Sequence, residues 1–112
     1  MWMNARRFAS SSARNWHVLQ YTYVKDMATK RTSVREAHLK WVNEASKKSG
    51  LYMAGAFTDP LDGGQFLFQR TEKKIIEKLV QSDPYFMKGL VSNYTIRAWH
   101  VVVPTSLATS EE

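Results

Sequence analysis

The 112-residue sequence contains no cysteine. This absence excludes a disulfide framework, a thiol nucleophile, an iron–sulfur cluster and a cysteine-based zinc site. Its apolar runs also fall short of the ~20 residues that a membrane-spanning helix needs, so we predict no integral membrane protein. With 44% hydrophobic residues in a chain of ordinary single-domain length, the composition predicts one globular domain.

Acidic residues are absent before Asp26. Residues 1–15 instead carry three arginines and a run of serines, without a long apolar stretch. This composition is typical of a mitochondrial transit segment, or of a plastid one, and Arg6 to Ser10 resembles a presequence cleavage site. The alternative is a disordered basic tail on a cytoplasmic protein. We predict a leader over 1–15, a folded domain over 16–104 and a polar, acidic tail over 105–112.

Hydrophobic patterns divide the first half of the domain into a strand and a helix. Residues 16–24 alternate between two faces that both carry large apolar groups, which predicts a strand covered on both sides. Ser33 and Glu36 have the spacing of a capping box and predict a helix near 34–49. The apolar face of that helix carries Val34, His38, Trp41 and Ala45.

The second half predicts a hairpin, a helix and a final strand. Residues 51–58 and 65–70 read as strands joined by a turn rich in proline, aspartate and glycine. We expect Thr71 to cap a second helix, which ends at Asp83-Pro84 because proline disfavours helical geometry in the preceding residue. The last strand is predicted over 94–103.

The resulting order, β-α-β-β-α-β, predicts an α+β fold of the ferredoxin-like sandwich type. Right-handed connections place both helices on one face of a four-stranded antiparallel sheet. The other face would then expose aromatic and aliphatic side chains of the first and last strands. Because large exposed apolar patches usually mark interfaces, we predict a homodimer that forms through this face.

An RNA-recognition domain has the same element order and is a competing interpretation. Its third strand needs a basic-glycine-aromatic motif, and GGQFLFQR supplies Phe66 and Phe68 without the residues that should precede them. The net charge of +6 falls to +3 once the arginines of the leader are set aside. We therefore do not predict nucleic acid as a partner.

Four segments together carry a family resemblance: Lys30 to Leu39 (KRTSVREAHL), Met53 to Ala56 (MAGA), Ser82 to Phe86 (SDPYF) followed by Gly89, and Ile96 to Trp99. In this combination the chain resembles the YciI-like family, also called the YCII-related domain. The resemblance implies a dimeric α/β barrel and a His–Asp pair in an active-site cleft, which maps to His38 and Asp83. It also implies chemistry on small ring lactones and similar organic acids. Glu36, Ala56 and Phe57 depart from positions where members often carry proline.

The residues also have plainer interpretations. A lone helical histidine such as His38 is most often a surface or core residue, and Asp83 before proline is most often a turn or capping carboxylate. As a pair they make chemical sense, because a carboxylate bound to one imidazole nitrogen fixes the tautomer and leaves the other nitrogen for proton transfer. Arg35 is either a substrate-carboxylate ligand or a solvated helix residue.

We therefore predict a small-molecule enzyme of lyase, isomerase or hydrolase type, whose His38–Asp83 pair performs acid–base chemistry on a small organic acid or lactone, with Arg35 binding substrate. The alternative is a non-catalytic dimeric module that binds a ligand or partner through the same cleft. No cofactor is predicted. His17 and His100 without a nearby carboxylate make a poor metal site, so none is predicted there.

Overall fold

A computed structural model describes residues 15–110 and contains one four-stranded antiparallel sheet. The strand order across the sheet is β2-β3-β1-β4. The predicted leader lies outside the described residues except for Asn15. The strands are β1 (Trp16–Tyr23), β2 (Leu51–Ala56), β3 (Gly63–Gln69) and β4 (Val91–Trp99).

The helices fall in the two connections that join β1 to β2 and β3 to β4. They are α1 (Met27–Lys30), α2 (Arg35–Lys48), α3 (Lys73–Gln81) and α4 (Pro84–Met87), and a single 3-10 turn, Thr105–Leu107, follows β4. The predicted α+β sandwich with its ferredoxin-like order is therefore confirmed. None of these helices combines the length and the apolar character needed to cross a bilayer.

One face of the sheet and the helices share a single hydrophobic core. Leu19 on the central strand β1 pairs with Phe66 on β3 and with Ile96 on β4, so the period of two places these side chains on one face. Ile76 and Val80 of α3 and Ala45 of α2 belong to the same buried cluster. Full burial of an aliphatic or aromatic side chain contributes about 1.5–3 kcal/mol to stability, so this face holds the domain together.

Two predicted helix caps are wrong. The residue before α2 is Val34, and no side chain caps the helix, because the chain reaches α2 already turning: the amides of Val34 and Arg35 both donate to the carbonyl of Arg31. Ser33 is therefore part of a turn. Thr71 does not cap α3 either, since its hydroxyl accepts from the Gly50 amide and donates to the Gln69 carbonyl.

The face of the sheet away from the helices is more polar than the sequence predicted. We call it the open face. Register places on it the side chains of Val18, Gln20, Gln65, Thr95 and Arg97. At its end, the chain after β4 folds back so that the Trp16 indole N–H donates to the Leu107 carbonyl at 2.7 Å. Trp16 is consequently buried, whereas Trp99 remains 44% exposed.

Candidate active site

His38 and Asp83, separated by 45 residues in sequence, are in direct contact. His38 lies on the buried side of α2, and Asp83 lies between α3 and α4. The His38 Nδ1 atom is 2.8 Å from Asp83 Oδ1. His38 is only 7% exposed and Asp83 is fully buried, so the surrounding protein excludes bulk water from their contact.

Asp83 also receives two further hydrogen bonds. The Tyr21 hydroxyl donates to Asp83 Oδ2 at 2.7 Å, and the Tyr85 amide donates to Asp83 Oδ1 at 3.0 Å. An ionised carboxylate only accepts hydrogen bonds, so we assign the shared proton of the histidine contact to His38 Nδ1. In this assignment a buried carboxylate has three donors, which is the condition that makes its burial tolerable.

The sequence around Asp83 explains its position. Pro84 occupies the first turn of α4, where its missing N–H costs nothing, and the Asp83 side chain caps that helix through Tyr85. Just before it, the Ser82 hydroxyl accepts from the Trp41 indole N–H at 3.0 Å and so ties this loop to α2. The capping interpretation of Asp83 and the active-site interpretation therefore apply to the same carboxylate.

Aromatic rings fix the plane of the His38 imidazole. The Tyr85 ring lies parallel to it, with 3.7 Å between centroids and 3° between planes. Trp41 stacks near it at 5.7 Å, and Phe66 meets it edge-on at 6.5 Å. Since Nδ1 faces Asp83, the available nitrogen is Nε2, which forms no hydrogen bond within residues 15–110.

A cavity of about 160 Å³ lies against His38. Two arginines line it, Arg31 just after α1 and Arg35 at the start of α2, and no acidic side chain of the described residues does. The remaining lining is aromatic, aliphatic or backbone: Tyr23, Leu39, Val42, Ala54, Gly55, Ala56, Phe66 and Tyr85. The site therefore combines a histidine, two cations and apolar walls.

Two buried phenols next to the site stay protonated. Burial, and then the negative charge of Asp83, raise the pKa of Tyr21 far above its ordinary value. Burial and then the neighbouring Tyr85 raise the pKa of Tyr23 to about 12, against a smaller opposing effect of Arg31 and Arg35. Both hydroxyls are therefore hydrogen-bond donors throughout the physiological pH range.

The structure brings the three predicted site residues to one place. His38 contacts Asp83, and Arg35 lines the cavity that His38 lines. Their roles in catalysis and binding stay predictions. Sequence reasoning did not identify Tyr21 or Tyr85 as part of the site. The period-two pattern of β1 put Tyr21 on the same face as Leu19, but nothing in the sequence indicated that its hydroxyl meets a carboxylate 62 residues away.

His17 and His100 line a different pocket, at the opposite end of β1 and β4 from Tyr23. Burial, together with the positive charge of Lys73, lowers the pKa of His17. Over residues 15–110 no group of three or more histidine and carboxylate side chains is arranged to hold a metal ion.

Comparison with known proteins adds three findings. The family model described as the YCII-related domain matches residues 16–100. By sequence, no curated protein matches the chain significantly. Among solved structures, 5-chloro-2-hydroxyhydroquinone dehydrochlorinase from Burkholderia phenoliruptrix, in complex with 2,5-dihydroxybenzoquinone, superimposes with a TM-score of 0.65 at 13% identity. The match covers 75% of this chain and 92% of that one, and at this identity it demonstrates a shared fold.

Proposed function

This chain belongs to the YCII-related domain family, and on that premise we propose that it is a small-molecule enzyme in which His38 performs acid–base chemistry on a small organic acid or lactone. The observation that carries the proposal is the 2.8 Å contact between His38 Nδ1 and the buried Asp83 carboxylate, beside a cavity. Histidine is suited to this work because its ordinary pKa lies near neutrality.

The arrangement assigns a role to each side of the imidazole. Nδ1–H donates to Asp83, which holds the tautomer in which Nε2 carries a lone pair. Nε2 then removes a proton from a substrate or a water molecule in the cavity. The imidazolium that forms is stabilised by the Asp83 charge and later returns the proton. Removal and return of a proton is the chemistry of lyases, isomerases and hydrolases.

The structural relative supports the small-molecule interpretation. Its name describes loss of chloride from a hydroxylated single ring, and it was solved with a ligand of that size. The cavity beside His38, at about 160 Å³, is comparable with the ~150 Å³ that holds a benzene ring in a protein core. A substrate of about one ring therefore fits the space.

We also propose that the chain forms a homodimer through the open face. This face contains a depression of about 320 Å³ whose lining includes Val18, Gln20 and Trp99. Its mixed polarity resembles an ordinary protein–protein interface, which is about as apolar as the rest of a protein surface. The exposed rings of Trp99 and Tyr52 at its edge supply the aromatic contacts that such interfaces favour.

The test of the enzyme proposal is a turnover screen with small ring lactones, organic acids and halogenated or hydroxylated rings. On whichever substrate reacts, His38→Gln should lower kcat/KM by ~10²–10⁴-fold, the usual size of lost acid–base catalysis. Asp83→Asn should cause a loss in the same range, because the imidazolium loses its counter-charge. The matched control is His100→Gln, at an exposed histidine outside the cavity.

Two outcomes would contradict the proposal. One is a His38→Gln variant that turns over substrate as the unmodified chain does. The other is saturable binding of screened compounds with no turnover of any of them, which is the behaviour of the non-catalytic binding module. Circular dichroism of each variant establishes that a loss of activity is not a loss of fold.

A further inference from the structure

Two arginines reach the same cavity from one short stretch of chain. Arg31 directly follows α1 and Arg35 begins α2, four residues later, a spacing that places both side chains on one side of a helical turn. Both line the cavity with His38. Within residues 15–110 neither arginine forms an ion pair, so their guanidinium donors remain available to a ligand.

The carboxylate that contacts His38 is already engaged. Asp83 is fully buried behind His38 and accepts from Tyr21, Tyr85 and His38 itself. It therefore cannot also bind either guanidinium, and no other acidic residue among the described ones lines the space. A cavity with two cations and no free anion is electrostatically suited to a negatively charged ligand.

A third donor lies at the same place. Tyr23 lines the cavity, and its hydroxyl has no hydrogen-bond partner among the described residues. The ring lies over β3, where a Cβ added to Gly64 would be only 2.9 Å from the Tyr23 oxygen. The raised pKa of Tyr23 keeps the hydroxyl protonated, and both arginines line the same cavity as the Tyr23 ring.

The other residues that line the cavity limit the size and polarity of the anionic ligand. Leu39, Val42 and Phe66 provide apolar walls, and the space is about 160 Å³. A bulky or highly charged ligand such as a nucleotide does not fit these walls. A single planar ring with one acidic group does, because the ring replaces water against apolar surface while the acid meets the cations.

We propose that the cavity binds a single-ring organic carboxylate, held by Arg31 and Arg35 with the Tyr23 hydroxyl as a third donor, in preference to a neutral lactone. This assignment rests on the proposed function, whose substrate class it narrows from acid or lactone to the acid. Arg31 then binds the carboxylate together with Arg35, and Tyr23 becomes a specificity-determining residue.

The test is a binding experiment that does not need turnover. Benzoate, 2-furoate and cyclohexanecarboxylate are titrated into the ¹⁵N-labelled chain, each beside its neutral amide, and the amide resonances of Gly55 and Ala56 at the cavity wall are followed. The carboxylates should bind saturably in the millimolar range or tighter, and each amide should bind at least ~10-fold more weakly. Arg31→Gln and Arg35→Gln should each weaken carboxylate binding ~10-fold or more, the usual effect of losing a hydrogen bond to a charged group.

Two variants sharpen the result. Lys40→Gln removes the same charge from the exposed side of α2 and should change affinity less than twofold. Tyr23→Phe should weaken the carboxylates several-fold and leave the amides unchanged. Equal binding of acids and amides, unchanged carboxylate binding in both arginine variants, or no saturable binding of any carboxylate would each overturn the assignment.

The same experiment separates this assignment from the enzyme proposal. His38→Gln should keep carboxylate binding within a few-fold while removing turnover. Normal carboxylate binding in the arginine variants, together with loss of turnover in His38→Gln, would overturn the proposed carboxylate site and support the proposed acid–base chemistry. Weakened carboxylate binding in the arginine variants, with normal turnover in His38→Gln, would support the carboxylate site and overturn the acid–base chemistry.

Discussion

The Tyr21 hydroxyl and the Asp83 carboxylate form a buried hydrogen bond of 2.7 Å between the central strand and the loop that follows α3. Tyr21 is 2% exposed and Asp83 is fully buried. The bond uses Oδ2, whereas His38 contacts Oδ1, so the two neighbours bind different oxygens of the carboxylate. The sheet thereby orients the group that orients the histidine.

Tyr21→Phe should lower the free energy of unfolding by ~1–3 kcal/mol, because it leaves a buried carboxylate oxygen without its donor. The ring itself, packed against Phe66 at 4.8 Å between centroids, is retained in this variant. Urea denaturation measures the change. The matched control is Tyr52→Phe, at a tyrosine 49% exposed, which should change stability by less than ~0.5 kcal/mol. Equal stability of the two variants would contradict the argument.

The sequence predicted the sheet and the helices because their signals are local. The alternation in β1 and the apolar face of α2 are patterns within single elements, and each pattern identified side chains that are buried or packed against the core. The contact between His38 and Asp83 is not local, and only the family resemblance suggested it. The Tyr21 contact had neither a local pattern nor a family motif behind it, since it depends on how β1 and the α3–α4 loop meet in space.

The failures of prediction have physical reasons. The Ser33 cap was wrong because a short helix that the hydrophobic pattern did not predict, α1, is followed by a turn that leads into α2. Met27 of α1 is buried, and a single apolar residue in a polar stretch is too weak a pattern to reveal such a turn. The open face was predicted to expose aromatic and aliphatic side chains of the first and last strands, whereas one of these, Trp16, is buried and donates to the carbonyl of Leu107 in the 3-10 turn.

Alkaline pH should destabilise the domain from about pH 10 upwards. In the unfolded chain Tyr21 ionises near its ordinary value of 10.0, whereas in the folded chain its pKa is raised by burial and by Asp83. The folded state therefore binds more protons than the unfolded state above that pH, and stability falls as pH rises. Below pH 10 the full contribution is present.

The expected slope for Tyr21 alone is about 1.4 kcal/mol per pH unit, since one proton separates the two states. Tyr23, with its pKa raised to about 12, adds to the loss. Urea denaturation at several pH values up to about 11 measures the slope, and Tyr21→Phe should make it shallower. An unfolding free energy that stays level above pH 10 would be inconsistent with the buried phenols.

Residues 1–15 should direct the protein to mitochondria. Their arginines and serines, without any acid, motivate this proposal. A fluorescent protein fused behind residues 1–15 should be imported by isolated mitochondria and processed, and replacing Arg6, Arg7 and Arg14 by Gln should stop import. Deleting residues 1–14 should shift Tm by less than ~2 °C, because none of the strands and helices predicted from the sequence includes them. Uncut protein recovered from cytosol would count against import.

The homodimer should depend on the centre of the open face. Gln20 lies on the central strand β1, is exposed, and shares a hydrogen bond of 2.7 Å with Gln65. Light scattering at micromolar concentration should report about twice the chain mass of 12.9 kDa. Gln20→Lys places an unpaired charge in the middle of the proposed interface, where its desolvation is costly, and should yield monomers that remain folded.

Ser46→Lys adds the same charge on exposed α2 and should leave the dimer intact. If the unmodified chain is monomeric, or if Gln20→Lys dimerises as tightly as Ser46→Lys, this face is not the interface.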